Sequence, residues 1–197
     1  MRGGGAGDIA TLPGEGRTCQ ILLGVAHAGL GNSKNAIRQL LQEEQEILAQ
    51  PIDFDWYRLL FLEWGLSNAH LMQGDLSNAR FRAAKFVERA QATDEMCWCA
   101  LAWEMSSRIA MLGEEDDLAL NSIMRAIDTV ESRHVPLAAW RVYHTAATIY
   151  AKRGDMAQAH KYAERFSLAH QSLIESLPEQ HQSRHTLGGL HLDITSA

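Results

Sequence analysis

The chain has 197 residues, 46% hydrophobic and 21% charged, which suits one packed domain or a short repeat array. A formal net charge of −6, with nine histidines counted neutral and no run of five basic residues, argues against a nucleic-acid-binding surface. The longest notable apolar stretch, Cys97 to Trp103, is far too short to span a membrane, and the N-terminus lacks the apolar core of a secretory signal.

Residues 1–16 hold six glycines and a proline and read as a flexible leader. From Arg17 the spacing predicts eight helices, over 17–30, 34–49, 54–73, 76–92, 94–112, 115–132, 136–153 and 156–177. Their apolar positions recur at helical spacing, as in Leu59, Leu62, Leu66 and Ala69, or Val142, Ala146, Ile149 and Tyr150. Breaks fall at Gly31-Asn32-Ser33, where Asn or Ser can cap, and at Gln50-Pro51-Ile52-Asp53, where Asp53 is the expected cap. Pro178 ends the last helix, and residues 178–197 form a tail expected to be partly ordered.

Four glycines punctuate this pattern at near-even steps. Gly31, Gly74, Gly113 and Gly154 are separated by 43, 39 and 41 residues, and each is followed after five or six residues by an alanine: Ala36, Ala79, Ala119 and Ala159. A period of about 40 residues holding a helix–turn–helix is the mark of an α-solenoid. The expected fold is all-α, a solenoid of about four antiparallel hairpins over residues 17–177.

Around these turns the chain resembles a tetratricopeptide repeat. Leu23-Gly24, His27, Gly31-Asn32 and Ala36 carry the resemblance in the first unit. Leu66-Ser67, His70, Gly74-Asp75 and Ala79 carry it in the second, and Ala146-Ala147, Tyr150, Gly154-Asp155 and Ala159 in the fourth. The third keeps only Gly113 and Ala119, with one extra residue between them. The step exceeds the family's usual length of about 34 residues. Long irregular repeats of this kind resemble the C-terminal arrays of large bacterial regulators that carry an upstream ATPase or cyclase module. The resemblance implies a right-handed superhelix and a role as an interaction scaffold or regulatory module; without a signal, membrane span, disulfide framework or catalytic motif in the sequence, a cytoplasmic location, no catalysis and no cofactor are expected. A protein or peptide would lie in its concave groove. The alternative it implies is a small-molecule-sensing domain of a larger ATP-dependent signalling or transcription regulator.

In such arrays the first helix of each unit lines the groove. Counting back ten, six and two residues from the turn glycines gives Trp64, Asn68 and Met72 in the second unit. The same count gives Trp103, Ser107 and Met111 in the third, and His144, Thr148 and Lys152 in the fourth. A repeated Trp–small polar–Met column suits a peptide or a helix. The family's groove for acidic peptide termini uses Lys, Asn and Arg; only Asn68, Arg141, Lys152 and Arg153 are similar, scattered over two units, so such a clamp is not expected.

Other chemistry finds little footing. Gly3-Gly4-Gly5-Ala6-Gly7 lacks the lysine of a phosphate loop, and no nucleophile elbow is present, so no catalytic residue is assigned. Cys97 and Cys99 would face opposite sides of a helix, and Cys19 completes a set too small for a disulfide framework. His181 and His185 share a helical spacing without a metalloprotease glutamate, and Glu114-Glu115-Asp116-Asp117 suits a helix N-terminus better than a calcium loop, so no metal is assigned. The first helix (Cys19, Ile21, Leu22, Leu23, Val25, Ala26, Ala28, Leu30) is apolar nearly all round. An end repeat normally has a polar outer face, so a missing upstream module or pairing with a second copy through the first hairpin is expected.

Overall fold

The computed structural model describes residues 13–133 and 135–179, and within them the chain is all-helical. The helices are α1 (Pro13–Gly29), α2 (Ser33–Ala49), α3 (Asp55–Met72), α4 (Leu76–Thr93), α5 (Met96–Leu112), α6 (Asp116–Ser132), α7 (Pro136–Lys152) and α8 (Met156–Glu175). The expected leader up to residue 12, and the tail from residue 180 with His181 and His185, lie outside the described residues. α1 starts at Pro13, four residues earlier than expected, because proline has no N–H to leave unpaired in a first turn. Thr18 then returns its hydroxyl to the Gly14 carbonyl at 2.8 Å.

Consecutive helices pair as hairpins, α1 with α2 through to α7 with α8. The Gln39 amide donates to the Gln20 carbonyl at 2.7 Å across the first of them. Between hairpins, α1, α3, α5 and α7 pack in sequence, whereas the backbones of α2, α4, α6 and α8 stay apart and these helices meet through long side chains such as Arg82 with Glu44 and Arg165 with Glu131. The core is correspondingly divided. Ile21, Leu40, Leu62 and Leu66 fill one cluster, and a larger one runs from Leu60 to Tyr162. At their junction Trp98 packs edge-on against Phe61 (ring centroids 4.5 Å apart) and Phe86 (5.8 Å).

The four turns are one motif. In each, a left-handed residue follows the first helix, and the next N–H reaches back five residues: Asn32 to His27, Asp75 to His70, Glu115 to Ala110 and Asp155 to Tyr150, all within 2.9–3.0 Å. The left-handed residues are Gly31, Gly74, Glu114 (φ 60°) and Gly154. Gly113 therefore is not the turn residue of the third unit. It lies at φ −85°, and the register there moves by one. The steps become 43, 40 and 40, and the extra residue of the third unit disappears. Ala36, Ala79, Ala119 and Ala159 then stand at one position, all buried against their partner helices. Seven residues before each turn stand Gly24, Ser67, Ser107 and Ala147, a buried column of small side chains where the hairpin helices meet. A Cβ on Gly24 would lie 2.8 Å from Leu40 Cγ.

Caps follow local chemistry. Asp75 and Asp155 accept the N–H of Asn78 and Gln158, each at 3.1 Å. Asp53 does not cap α3 as expected: Phe54 holds that place in the left-handed region. Asp55, one residue on, accepts the Ile52 N–H at 2.8 Å and binds Arg17 (2.7 Å) and Arg58 (3.0 Å), tying α1 to the α2–α3 loop. No described helix is long and apolar enough to cross a membrane.

Candidate functional site

The corrected register changes which residues share a face. Ten residues before the turns stand Trp64, Glu104 and His144; six before, Asn68, Arg108 and Thr148; two before, Met72, Leu112 and Lys152. The second and fourth units keep the expected residues, and the third does not. Trp103, Ser107 and Met111 are turned by one residue, about 100°, toward the second-helix side. Ser107 is fully enclosed and donates its hydroxyl to the Ala119 carbonyl at 2.7 Å, so it is part of the core rather than a groove. Trp103 lies beneath the Arg125 guanidinium, 4.5 Å from its ring centroid, and lines an apolar recess of about 400 Å³ with Ala83, Val87 and Leu118 from α4 and α6. Trp64 and Trp103 therefore belong to opposite faces. Lys152 donates to the Met111 carbonyl at 3.1 Å and lies 3.4 Å from Asp116, which fixes it at the end of the third hairpin.

On the face of α3, α5 and α7, polar side chains converge. α7 presents Trp140, Arg141, His144 and Thr145, whose spacing places them on one side of a helix. α5 adds Glu104 and Arg108, and together these six line a cleft of about 260 Å³. Glu104 is 2% exposed; its Oε1 accepts the Thr145 hydroxyl at 2.7 Å and lies 3.8 Å from Arg108 Nε. Arg108 also reaches Asn68 Oδ1 on α3 at 3.4 Å. Arg141 crosses α5 altogether. Its guanidinium lies 5.3 Å from the Trp64 ring centroid on α3 and 5.3 Å from that of its neighbour Trp140.

The cleft is short of hydrogen-bond partners. Among the described residues Glu104 Oε2, Arg108 Nη1, Arg141 Nε and Trp64 Nε1 are buried without one. Arg141 makes neither a hydrogen bond nor an ion pair there, and only the two indoles and the field of Glu104 hold it. Burial pushes the Arg141 pKa down from its ordinary value; Glu104 opposes this and Arg108 adds to it. Arginine still keeps its charge. Burial likewise lowers His144, with Glu104 opposing and Arg108 and Arg141 reinforcing, and its ring packs edge-on against Phe166 on α8. His144 is therefore neutral near pH 7.

Glu104, Arg108, Trp140 and Thr145 escaped the sequence reading, and Arg141 entered it only as a scattered cation. Counting from Glu114 instead of Gly113 would have placed Glu104 and Arg108 in the column, but nothing in the sequence marks Glu114 as left-handed. Cys97 and Cys99, half-buried and buried, have thiols pushed up by burial, and Cys19 is exposed. Among the described residues no group of three or more His, Cys, Asp or Glu side chains could hold a metal ion. No protein-family model matches the chain, and no curated protein matches it.

Proposed function

We propose that the chain is a tetratricopeptide-like interaction module, a right-handed α-solenoid of four hairpins whose α3–α5–α7 face receives a protein segment in the cytoplasm. The shared turn motif, the 40-residue steps and the buried small and alanine columns support the repeat assignment. First helices packed against one another, with second helices farther apart and joined only by long side chains, fit an array bent so that the first helices lie inside. Arg141 reaching from α7 to Trp64 on α3 fits the same curvature.

The observation that carries the functional reading is the cleft itself. Two half-buried indoles flank Arg141, which has no polar partner among the described residues, beside Arg108, whose Nη1 has none. A folded chain gains nothing in stability from such unpaired groups, whereas aromatic and arginine side chains in one recess are the usual anchors of an interface. The module is proposed to be non-catalytic. A random dodecapeptide library displayed on phage and selected against the full chain tests the reading. Enriched peptides should compete with one another and bind at least 10-fold more weakly to a folded Trp140→Ala variant. Peptides that bind parent and Trp140→Ala equally would refute the α3–α5–α7 face as the binding surface.

A further inference from the structure

We infer that this cleft is a receptor for one side-chain carboxylate, an Asp or Glu within the bound peptide, held by Arg108 and Arg141 between the indoles of Trp64 and Trp140. The inference rests on the interaction reading above and names the chemistry its partner must bring.

Charge decides the class of ligand. The cleft contains two guanidinium groups and one carboxylate, Glu104. His144 adds no charge near neutral pH. The remainder is a single positive charge, which matches a monoanion; a dianionic phosphate would face Glu104 with one charge too many. Geometry points the same way. Glu104 hydrogen-bonds neither arginine: its Oε1 accepts from Thr145 at 2.7 Å and stands 3.8 Å from Arg108 Nε, its Oε2 has no partner among the described residues, and Arg141 has no contact with it within ion-pair distance. Arg108 Nη1 and Arg141 Nε are enclosed with no acceptor among the described residues. An entering carboxylate has two oxygens to accept from these planar forks, the pairing guanidinium groups make best.

A peptide C-terminus is the other source of a carboxylate. The groups that would surround a terminus are already engaged: Asn68 with Arg108, Lys152 with the Met111 carbonyl and Asp116, and Arg153 with Asp117 at 3.5 Å. A side chain reaching down between two indoles needs none of them. The same walls favour apolar groups on either side of the acidic residue.

The position of Arg141 in the repeat supports a ligand role. Its equivalents in the other three units are Thr18, Phe61 and Leu101, none of them charged and the last two packed in or against the core. A guanidinium at that position is not needed to build the hairpin, and in the free chain it is desolvated without an ionic partner.

The test uses peptides selected from the same dodecapeptide library, resynthesised with amidated C-termini and titrated against the full chain by calorimetry. An Asp or Glu should recur at one fixed position, and its change to Asn or Gln should weaken binding by about 10- to 100-fold. Arg141→Met should cause a loss of similar size, and Arg141→Lys should restore only part of it, since lysine keeps the charge without the fork. Without peptide, Arg141→Met should melt at the same temperature as the parent or higher, because it removes a desolvated charge and keeps the bulk. An Arg141→Met chain that melts lower and binds normally would show a structural arginine and overturn the inference.

Failure of this inference is distinct from failure of the interaction reading. Peptides that require Trp140 but carry no fixed acidic residue overturn the carboxylate receptor alone. Binding lost on amidation transfers the site to a chain terminus, which also overturns it. If no peptide is enriched, and free glutarate raises the melting temperature of the parent but not of Arg141→Met, the site serves a small molecule and both readings fail.

Discussion

Glu114 holds the left-handed position that Gly31, Gly74 and Gly154 fill in the other turns, and this can be tested directly. An L side chain there costs about 1–2 kcal/mol. Glycine recovers that strain but returns about 0.4–1 kcal/mol of freedom to the unfolded chain. Glu114→Gly is therefore expected to stabilise the chain by about 0.5–1 kcal/mol. Gly154→Ala has the opposite sign and similar size. No atom lies within 4 Å of where its Cβ would stand, so backbone conformation supplies the whole effect.

Gly113→Ala is the control that separates the two registers. At φ −85° an alanine is unstrained, but its Cβ would lie 2.4 Å from Arg80 Nη2. That atom ends a flexible side chain, whose displacement sacrifices only the exposed Arg80–Glu115 pair, worth less than about 1 kcal/mol and offset by the better helix propensity of alanine. Urea unfolding followed by far-ultraviolet circular dichroism measures all three variants, with midpoints moving at constant slope. In a chain of this size the expected gain for Glu114→Gly corresponds to about 1–4 °C in melting temperature. A Glu114→Gly variant no more stable than the parent, with Gly113→Ala as damaged as Gly154→Ala, would return the left-handed residue to Gly113 and refute the register.

That register explains what the sequence could and could not reveal. Apolar spacing and the breaks at Gly31, Pro51, Gly74 and Gly154 located all eight helices to within four residues, because those signals are local. Asp53 looked like a cap because the chemistry is right, yet Asp55 is the carboxylate that Arg17, distant in sequence, makes useful. The site suffered most. A one-residue shift rotates a helical side chain by about 100°, enough to move Ser107 into the core and Trp103 onto the other face. Arg141 is invisible as a cleft residue in sequence, because its neighbour Trp64 stands on a helix two hairpins earlier.

Asp55→Asn should destabilise the chain by about 2–3 kcal/mol at neutral pH, since Asp55 is buried and leaves Arg17 and Arg58 without their carboxylate. Burial pushes its pKa up, but the Ile52 N–H, Arg58 and Arg17 together hold it below the ordinary 3.8. Its stabilisation is thus complete above about pH 4 and lost as pH falls through the lower folded value. The variant should flatten that acid limb in pH-dependent urea titrations, and an unchanged limb would count against the network. Gly65→Ala should cost about 1–3 kcal/mol, because its Cβ would meet Leu40 Cδ1 at 2.8 Å and Val25 Cγ2 at 2.9 Å. In a double-mutant cycle Leu40→Ala should relieve most of that cost, and strict additivity of the two melting shifts would show that the helices do not meet there.

The chain contains two kinds of buried charge, and comparing them separates structure from function. Around Glu63, fully enclosed on α3, burial drives the carboxyl pKa up, while Arg82 and Arg89, each at 3.3 Å, oppose the shift. Arg82 in turn binds Glu44 through two hydrogen bonds of 2.6 and 2.9 Å. Each guanidinium there has a carboxylate, and the cluster joins α2, α3 and α4 into one unit. The Arg141 cleft lies two repeats away on the same scaffold and lacks that closure. If burial of arginine served only to knit hairpins together, α5 and α7 would carry a second carboxylate as α2 does with Glu44. The walls around Arg141 are instead the indoles of Trp64 on α3 and Trp140 on α7, so the partner for Arg141 is expected to come from outside the hairpins, at a cost in free-chain stability that a binding surface commonly bears.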